Sequence, residues 1–253
     1  MNRTMSMVGK WYSLPLLFVI WQLCVSTGIV VSQLVPSLLK IADAFVHDMI
    51  NGVLLHAAMI TMGRALAGFM LALLVGVPLA TVMVRSKWCS RLLEPTFFAG
   101  YPVPKIALFP VFTFIFGIGT PSKIAFTFLE ALYPIVITTY VGMRGIQERW
   151  LWTGRNLGAS PAQLLRRVIF PAALPSIFAG IRIALPVAIT VVVVTEMIGD
   201  SSGLGYYVTI FSTRFQYQNV YAGLLMVGLC GFLLDRLLVW ARHVCVYWER
   251  GRR

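Results

Sequence analysis

The chain has 253 residues, of which 58% are apolar and only 12% are charged, and its formal net charge is +12. Soluble domains have about 45–50% apolar and about 25% charged residues, so this composition excludes an ordinary soluble protein. The basic residues lie in short clusters between apolar stretches, rather than on one soluble face interleaved with aromatic residues, which argues against a nucleic-acid partner.

Six apolar stretches follow one another along the chain, and each approaches the roughly 20 residues that a helix needs to cross a bilayer. Arg3 and Lys10 precede the first stretch as in a signal peptide, but the stretch is long and lacks a small-residue cleavage site, so we interpret it as a retained span. We therefore predict an all-α, polytopic membrane bundle forming one domain over residues 1–253, with spans at about 14–31, 65–84, 97–117, 124–143, 176–197 and 220–240.

Local patterns add detail to two of these spans and to the segment between the first and second spans. Segment 37–50 has apolar residues at helical spacing and is predicted to be amphipathic. Pro102, Pro104 and Pro110 interrupt the third span, and the carbonyls that they free are tolerated at membrane depth only beside protein or a water-filled cavity. Small residues recur in the second span at about four-residue spacing, which predicts close helix packing: Ala67, Gly68, Ala72, Gly76 and Ala80.

The distribution of Lys and Arg predicts the orientation. With both termini in the cytoplasm, fifteen of the 21 basic residues fall in inner segments and three (Lys40, Lys123 and Arg214) in outer ones. Cytoplasmic loops carry this excess under the positive-inside rule. We therefore expect a multi-pass protein of the bacterial cytoplasmic (inner) membrane, in contact with lipid, with cytoplasmic N- and C-termini.

Residues 144–175 form the longest predicted cytoplasmic segment. A first helix is predicted over 147–157, stopped by Gly158, which adopts a left-handed cap at little cost. Ser160 is a good N-cap, Pro161 fits the first helical position, and Gln163 completes a capping box. The second helix is expected to end before Pro171. A rigid helix pair of this kind is suited to binding a soluble partner.

This loop resembles a known family. Its sequence ERWLWTGRNLGASPAQLLRRVIFPAALPSIFAGIRIALP, at residues 148–186, is similar to the EAA-type loop of binding-protein-dependent ABC importer permeases, closest to the nitrate/sulfonate/taurine group. GRALAGFMLALLVGVPLA (63–80), YPVPKIALFPVFTFIFGIG (101–119) and VVVTEMIGDSSGLGYYV (192–208) resemble the same group in the same order. The resemblance covers about residues 50–250. The acidic-Ala-Ala start of the family loop is replaced by Trp152-Thr153-Gly154 in this chain.

The resemblance implies a type I ABC importer-like permease domain, which is half of a translocation path rather than an enzyme. A second permease copy or close paralogue, two cytosolic ATPases and a periplasmic or lipid-anchored binding protein would complete the importer, and the substrate would be a small oxyanion such as nitrate, a sulfonate or taurine. The loop residues implied to couple to the ATPase are Arg155, Leu157, Gly158, Ala159, Ser160, Gln163 and Pro171.

The chain itself has no G-x-x-x-x-G-K-[ST] phosphate loop, so ATP and Mg²⁺ are expected on the partner ATPase and no cofactor on this chain. Its cysteines and histidines make no metal-ligand spacing, and no catalytic residue is predicted. A membrane-embedded enzyme and a stand-alone carrier or channel remain the alternatives. The enzyme would need facing carboxylates or a histidine pair at membrane depth, and the carrier would leave the capped loop unexplained.

Charged residues within spans are expensive and face the bundle interior by default. Glu130, Arg182 and Glu196 are therefore candidates for the translocation path. Arg182 has two interpretations: it snorkels to the inner interface, or it lines the path or pairs with Glu196 or Glu130. Arg64 and Lys105 are expected at the interface.

Overall fold

A computed structural model describes residues 13–28, 31 and 34–248 of the chain, and none of these residues lies in a β-strand. The helices in this part, numbered in chain order, are α1 (Ser13–Ser26), α2 (Leu38–Ile50), α3 (Val53–Arg85), α4 (Lys87–Gly100), α5 (Phe109–Phe116), α6 (Thr120–Arg144), α7 (Glu148–Asn156), α8 (Pro161–Met197), α9 (Leu204–Thr213) and α10 (Tyr217–Cys245).

Four of the described helices, α3, α6, α8 and α10, are long and apolar enough to cross a bilayer. They contain the spans predicted at 65–84, 124–143, 176–197 and 220–240. Helix α3 begins well before its predicted span, because the polar side chains between 53 and 65 interrupt the apolar run without breaking the helix. The expected first span is shorter in the structure: α1 has 14 residues, and residues 29 and 30 of that prediction lie outside the described part.

The helix in the predicted span at 97–117 is broken. Helix α4 and the segment formed by a 3₁₀ turn (Lys105–Leu108) and α5 are together long and apolar enough for one span, but they are bent by 100°, as in a broken span or a re-entrant loop; we call this bent pair the broken span. The break falls at Tyr101–Pro104, where Pro102 and Pro104 provide no backbone donors, as expected from the sequence.

The core lies where α3, α6 and α8 pack against one another. A Cβ at Gly68 would lie 2.7 Å from the Thr127 Cβ, and one at Gly76 would lie 2.9 Å from the Ile135 Cγ2. Such distances are too short for any larger side chain, so the helices approach closely because these positions are small. Ala72 and Ala80 are fully buried in the same interface. The predicted packing role of the second span is confirmed for Gly68, Ala72, Gly76 and Ala80.

The second helix predicted within residues 144–175 does not end before Pro171, and that expectation is wrong. It continues as α8 to Met197 through a π-helical turn at Leu165–Ile169, in which the Phe170 amide donates to the Leu165 carbonyl. A proline inside an α-helix lacks an amide donor and clashes with the carbonyl four residues earlier. The widened turn just before Pro171 changes the hydrogen-bond register there, so the helix continues past the proline.

Candidate functional site

The hairpin formed by α7 and the start of α8 has a fully hydrogen-bonded turn. The Gly158 amide donates to the Arg155 carbonyl at 2.9 Å, and the Ala159 amide donates to the Gly154 carbonyl at 3.0 Å. Gly158 has φ +76°. These two bonds and the left-handed glycine form a Schellman motif, which satisfies carbonyls that a helix end otherwise leaves unpaired. The predicted helix stop at Gly158 is confirmed.

The start of α8 carries the predicted capping box. The Gln163 amide donates to the Ser160 Oγ at 3.3 Å, and the Ser160 amide donates to the Gln163 Oε1 at 2.8 Å. Pro161 occupies the first turn of the helix. Because hydrogen bonds close both ends of the turn, residues within the turn itself set the angle between α7 and α8.

The two arms of the hairpin also pack on each other at the position where the family pattern is altered. A Cβ at Gly154 would lie 2.7 Å from the Leu164 Cδ1. Glycine therefore permits close contact between α7 and the buried Leu164. At the tip, Leu157 is 81% exposed. The hairpin thus presents an apolar side chain at its tip, next to the start of α8.

Near the other end of α8, four charged side chains form the most buried polar cluster among the described residues. The Arg64 guanidinium contacts the carboxylates of Glu196 at 2.8 Å and Asp200 at 2.7 Å, and the Lys123 Nζ lies 3.0 Å from Asp200. None of the four side chains is more than 7% exposed. Two positive and two negative charges balance one another, which is the condition for keeping such groups out of water. We call these four residues the Arg64 network.

The Arg64 network holds the segment between α8 and α9 against α3 and α6. Arg64 also donates to Ser202 at its Oγ (3.0 Å) and its carbonyl (3.3 Å), and to the Thr120 Oγ at 3.1 Å. Thr61 donates to Glu196 at 2.7 Å, and the Gly205 amide donates to the same carboxylate oxygen at 3.0 Å. A single carboxylate therefore ties three chain segments together.

Asp200 is ionised in this setting. Burial alone would raise its pKa, but the Ser201 amide bond together with the charges of Lys123 and Arg64 outweighs burial and holds the pKa of this carboxyl below its ordinary value. The SSGLG run beside it also fits tightly, because a Cβ at Gly203 would collide with the Glu196 carboxylate. The sequence offered only the glycine run as a signal for this arrangement.

Three charged residues have surroundings that the sequence did not indicate. Arg64 and Lys105, expected at the membrane interface, and Lys123, expected in an outer segment, all have buried side chains. Arg182 pairs with neither Glu196 nor Glu130; its Nε donates to Asp235 at 3.0 Å on the exposed face of α8 and α10. The structure therefore does not bring Glu130, Arg182 and Glu196 together, because each pairs with a different partner.

Glu130 and Lys105 meet at the broken span. The Lys105 Nζ lies 3.5 Å from Glu130 and 4.5 Å from the centre of the Tyr133 ring. The same ammonium donates to the carbonyls of Gly100, Tyr101 and Val103 at 3.2–3.4 Å. Lys105 thereby satisfies backbone acceptors that the bend removes from helical bonding, and Glu130 neutralises its charge.

A further polar cluster, which sequence reasoning missed, joins α2 to α9 and α10. Asp48 is buried and accepts hydrogen bonds from the Tyr207 hydroxyl and from the Asn219 amide at 2.9 Å, while the His47 Nδ1 lies 3.0 Å away. Burial would raise the pKa of Asp48, but these bonds together lower it, whereas burial and the same carboxylate raise the pKa of Tyr207. An isolated Asp in an amphipathic helix gives no sign of these distant partners.

No group of three or more His, Cys, Asp or Glu side chains among the described residues is placed to hold a metal ion. The polar clusters are satisfied by contacts within the chain, and they bind helices together. The arrangement is therefore a helical bundle with balanced internal charges and a capped α7–α8 hairpin.

Comparison with known proteins identifies the class that this architecture defines. The family described as "Binding-protein-dependent transport system inner membrane component" matches residues 68–242. The chain belongs to this family of ABC importer permeases. It is the membrane-spanning transport subunit rather than an enzyme, which removes the membrane-embedded enzyme and the stand-alone carrier as alternatives.

Relatives of similar length carry related names. The chain is 31% identical over 232 residues to the putative aliphatic sulfonates transport permease protein SsuC of Bacillus subtilis, covering 92% of this chain and 84% of the relative. It is 32% identical to the protein of the same description in Escherichia coli, covering 90% and 87%. It is 31% identical to the formylaminopyrimidine transport permease protein ThiX of Halalkalibacterium halodurans, covering 72% and 73%.

The fold is also that of a solved importer. A chain from inward-facing conformations of the MetNI methionine ABC transporter superposes with a TM-score of 0.62 at 18% identity, covering 76% of this chain and 97% of that chain. At this identity the likeness concerns the fold alone. The predicted type I ABC importer-like permease domain is confirmed.

Proposed function

We propose that this chain forms one half of the translocation path of an importer and that the α7–α8 hairpin binds a separate cytosolic ATPase, which carries the ATP and Mg²⁺. The observation that carries the proposal is the hairpin itself: a turn closed by a Schellman motif and a capping box, with Leu157 exposed at its tip. Movement of an ATPase reaches the spans only through a stiff element, and α8 runs without a stop from this turn to Glu196. Arg155, Leu157, Gly158, Ala159, Ser160, Gln163 and Pro171 are the proposed coupling residues.

The orientation proposed for the chain places this hairpin and both termini in the cytoplasm. Its support is the fifteen-to-three division of basic residues between inner and outer segments. The Arg64 network then lies toward the outer side, where a binding protein, free in the periplasm or lipid-anchored, would deliver substrate. In this arrangement two ATPases serve two permease chains.

The broken span supports a paired assembly. The backbone from Tyr101 to Pro104 is irregular and exposed in the single chain. Irregular backbone at membrane depth is stable only where protein covers it or where it lines a water-filled cavity. We propose that a second copy of the chain, or a close paralogue, faces this segment, and that the path runs between the two.

Cross-linking tests the pairing. Phe114 lies on α5, the helix that follows the break, and is 88% exposed, whereas Leu74 on α3 is 70% exposed and is proposed to face lipid. In a background without Cys24, Cys89, Cys230 and Cys245, a Phe114→Cys chain treated in membranes with a short bis-maleimide should give a dimer band. Leu74→Cys should stay monomeric. Cross-linking at Leu74 alone would place the interface on α3 and contradict the proposal.

The proposed substrate is a small oxyanion, with an aliphatic sulfonate as the first choice and nitrate or taurine as related ones. The support is the naming of the relatives as sulfonate permeases. The cations within the spans give no support, because Arg64, Lys105 and Arg182 each have a carboxylate partner. Loss of the gene in the natural host should abolish growth on an alkanesulfonate as sole sulfur source and leave growth on sulfate unchanged. If the mutant grows normally on alkanesulfonates but uses a formylaminopyrimidine poorly, the substrate is instead the compound named for the ThiX relative.

A further inference from the structure

A cavity of about 560 Å³ lies beside the α7–α8 hairpin, on the side that the proposed orientation places in the cytoplasm, and the coupling function does not account for it. Its walls come from three parts of the chain: Trp150 on α7, Arg167 and Val168 in the π-helical turn of α8, and Trp248 after the end of α10. Pro171, Ala172 and Pro175 complete an apolar floor. Pro175 directly precedes the span predicted at 176–197, so the cavity lies at the inner boundary of the membrane.

The polar side chains that line this cavity are all donors. Among the residues that the structure describes, no carboxylate lies within ion-pairing distance of Arg167, and neither the Trp150 nor the Trp248 indole N–H has a hydrogen-bond acceptor. No described lining residue is acidic; Glu148, two positions before Trp150, is not part of the lining. Within the described part of the chain, the cavity therefore combines a guanidinium that has no carboxylate partner, two indole donors that have no acceptor, and an apolar floor.

We propose that this cavity binds the headgroup of an anionic glycerophospholipid from the inner leaflet. Basic pockets between membrane helices on the cytoplasmic side suit such headgroups, and indoles favour the depth at which headgroups lie. A phosphodiester offers Arg167 a charge-assisted bond and the two indoles acceptor oxygens. The apolar floor at Pro171 and Pro175 fits the glycerol and upper acyl chain, for which a free anion has no counterpart.

The site has a consequence that rests on the function proposed above. Trp150 and Arg167 lie on opposite arms of the α7–α8 hairpin, on either side of Gly158. A headgroup held by both arms links them, adding to the contact of Gly154 with Leu164. Anionic lipid would then stabilise the angle of the hairpin that meets the ATPase.

Lipid retention tests the binding. The intact chain, purified in detergent with equal amounts of phosphatidylglycerol and phosphatidylcholine, should retain phosphatidylglycerol preferentially by native mass spectrometry. Arg167→Gln should reduce that preference about fivefold, as expected for one basic contact to an anionic surface. Arg166→Gln is the matched control, because Arg166 is exposed in the same turn but does not line the cavity, and it should leave the preference unchanged.

Each other outcome would overturn the proposal. Equal losses for Arg166→Gln and Arg167→Gln would indicate a diffuse basic surface, and no loss for either would remove the site. Full displacement of the lipid by millimolar inorganic phosphate would indicate a site for a free anion. The assay uses the permease without its ATPase, so a failure of the proposed coupling function would leave its result unchanged.

Discussion

Replacing Arg64 with methionine is expected to leave most of the molecules without a stable fold. The substitution removes one of two positive charges from a cluster that lies almost entirely out of contact with solvent and leaves Glu196 and Asp200 with Lys123 alone. Breaking a buried ion pair by removing one partner costs about 3–5 kcal/mol, a large part of the total stability of a typical domain. The measurement is the apparent unfolding midpoint in detergent, followed by the loss of monodisperse protein on size-exclusion chromatography.

Two further variants separate charge imbalance from a general loss of contacts. Arg144→Met removes an ion pair with Glu94 in which both side chains are well exposed, and it should cost about 1 kcal/mol or less. Arg64→Met combined with Glu196→Gln leaves Lys123 balanced by Asp200 and should recover a large part of the lost stability. If the unfolding midpoint of Arg64→Met is no lower than that of Arg144→Met, the Arg64 network does not hold the segment between α8 and α9 in place.

Replacing Gly158 with valine should leave the permease in the membrane and weaken its assembly with the ATPase. The φ of +76° at this position is unfavourable for any side chain, although nothing lies within 4 Å of an added Cβ. The left-handed conformation costs about 1–2 kcal/mol for an ordinary residue and more for a β-branched one. That energy corresponds to a fall of about fivefold to thirtyfold in the population with the native turn. Co-purification of the ATPase and substrate-stimulated ATP hydrolysis are the measurements.

Asparagine at the same position is the matched control, because asparagine adopts the left-handed conformation far more readily than valine. Gly158→Asn should therefore retain most of the ATPase binding. A cysteine at the exposed Ala162, labelled only by reagent added to the cytoplasmic face, shows in each variant that the chain is inserted in the proposed orientation. Normal transport and ATPase stimulation by Gly158→Val would show that the hairpin is not the coupling element.

Sequence reasoning predicted the hairpin well because its determinants are local. Gly158, Ser160, Pro161 and Gln163 act on backbone groups no more than five residues away, so their spacing nearly specifies the turn. It failed at Pro171 for a related reason. A proline favours a helix end, and nothing in the neighbouring residues indicates that a π-turn and packing against the bundle would carry the helix through it.

Pairing of the charged residues is a property of the tertiary structure. Arg64 and Glu196 are 132 positions apart, and Asp48 and Asn219 are 171 positions apart, so no local pattern links them. The sequence by itself determined the membrane class, the all-α fold, the small-residue packing face of α3 and the family, because composition, periodicity and short motifs report these directly. Only the tertiary structure decided which carboxylate neutralises each buried cation, since a charge in an apolar interior is stable only beside an opposite one and the folded bundle alone determines which groups meet.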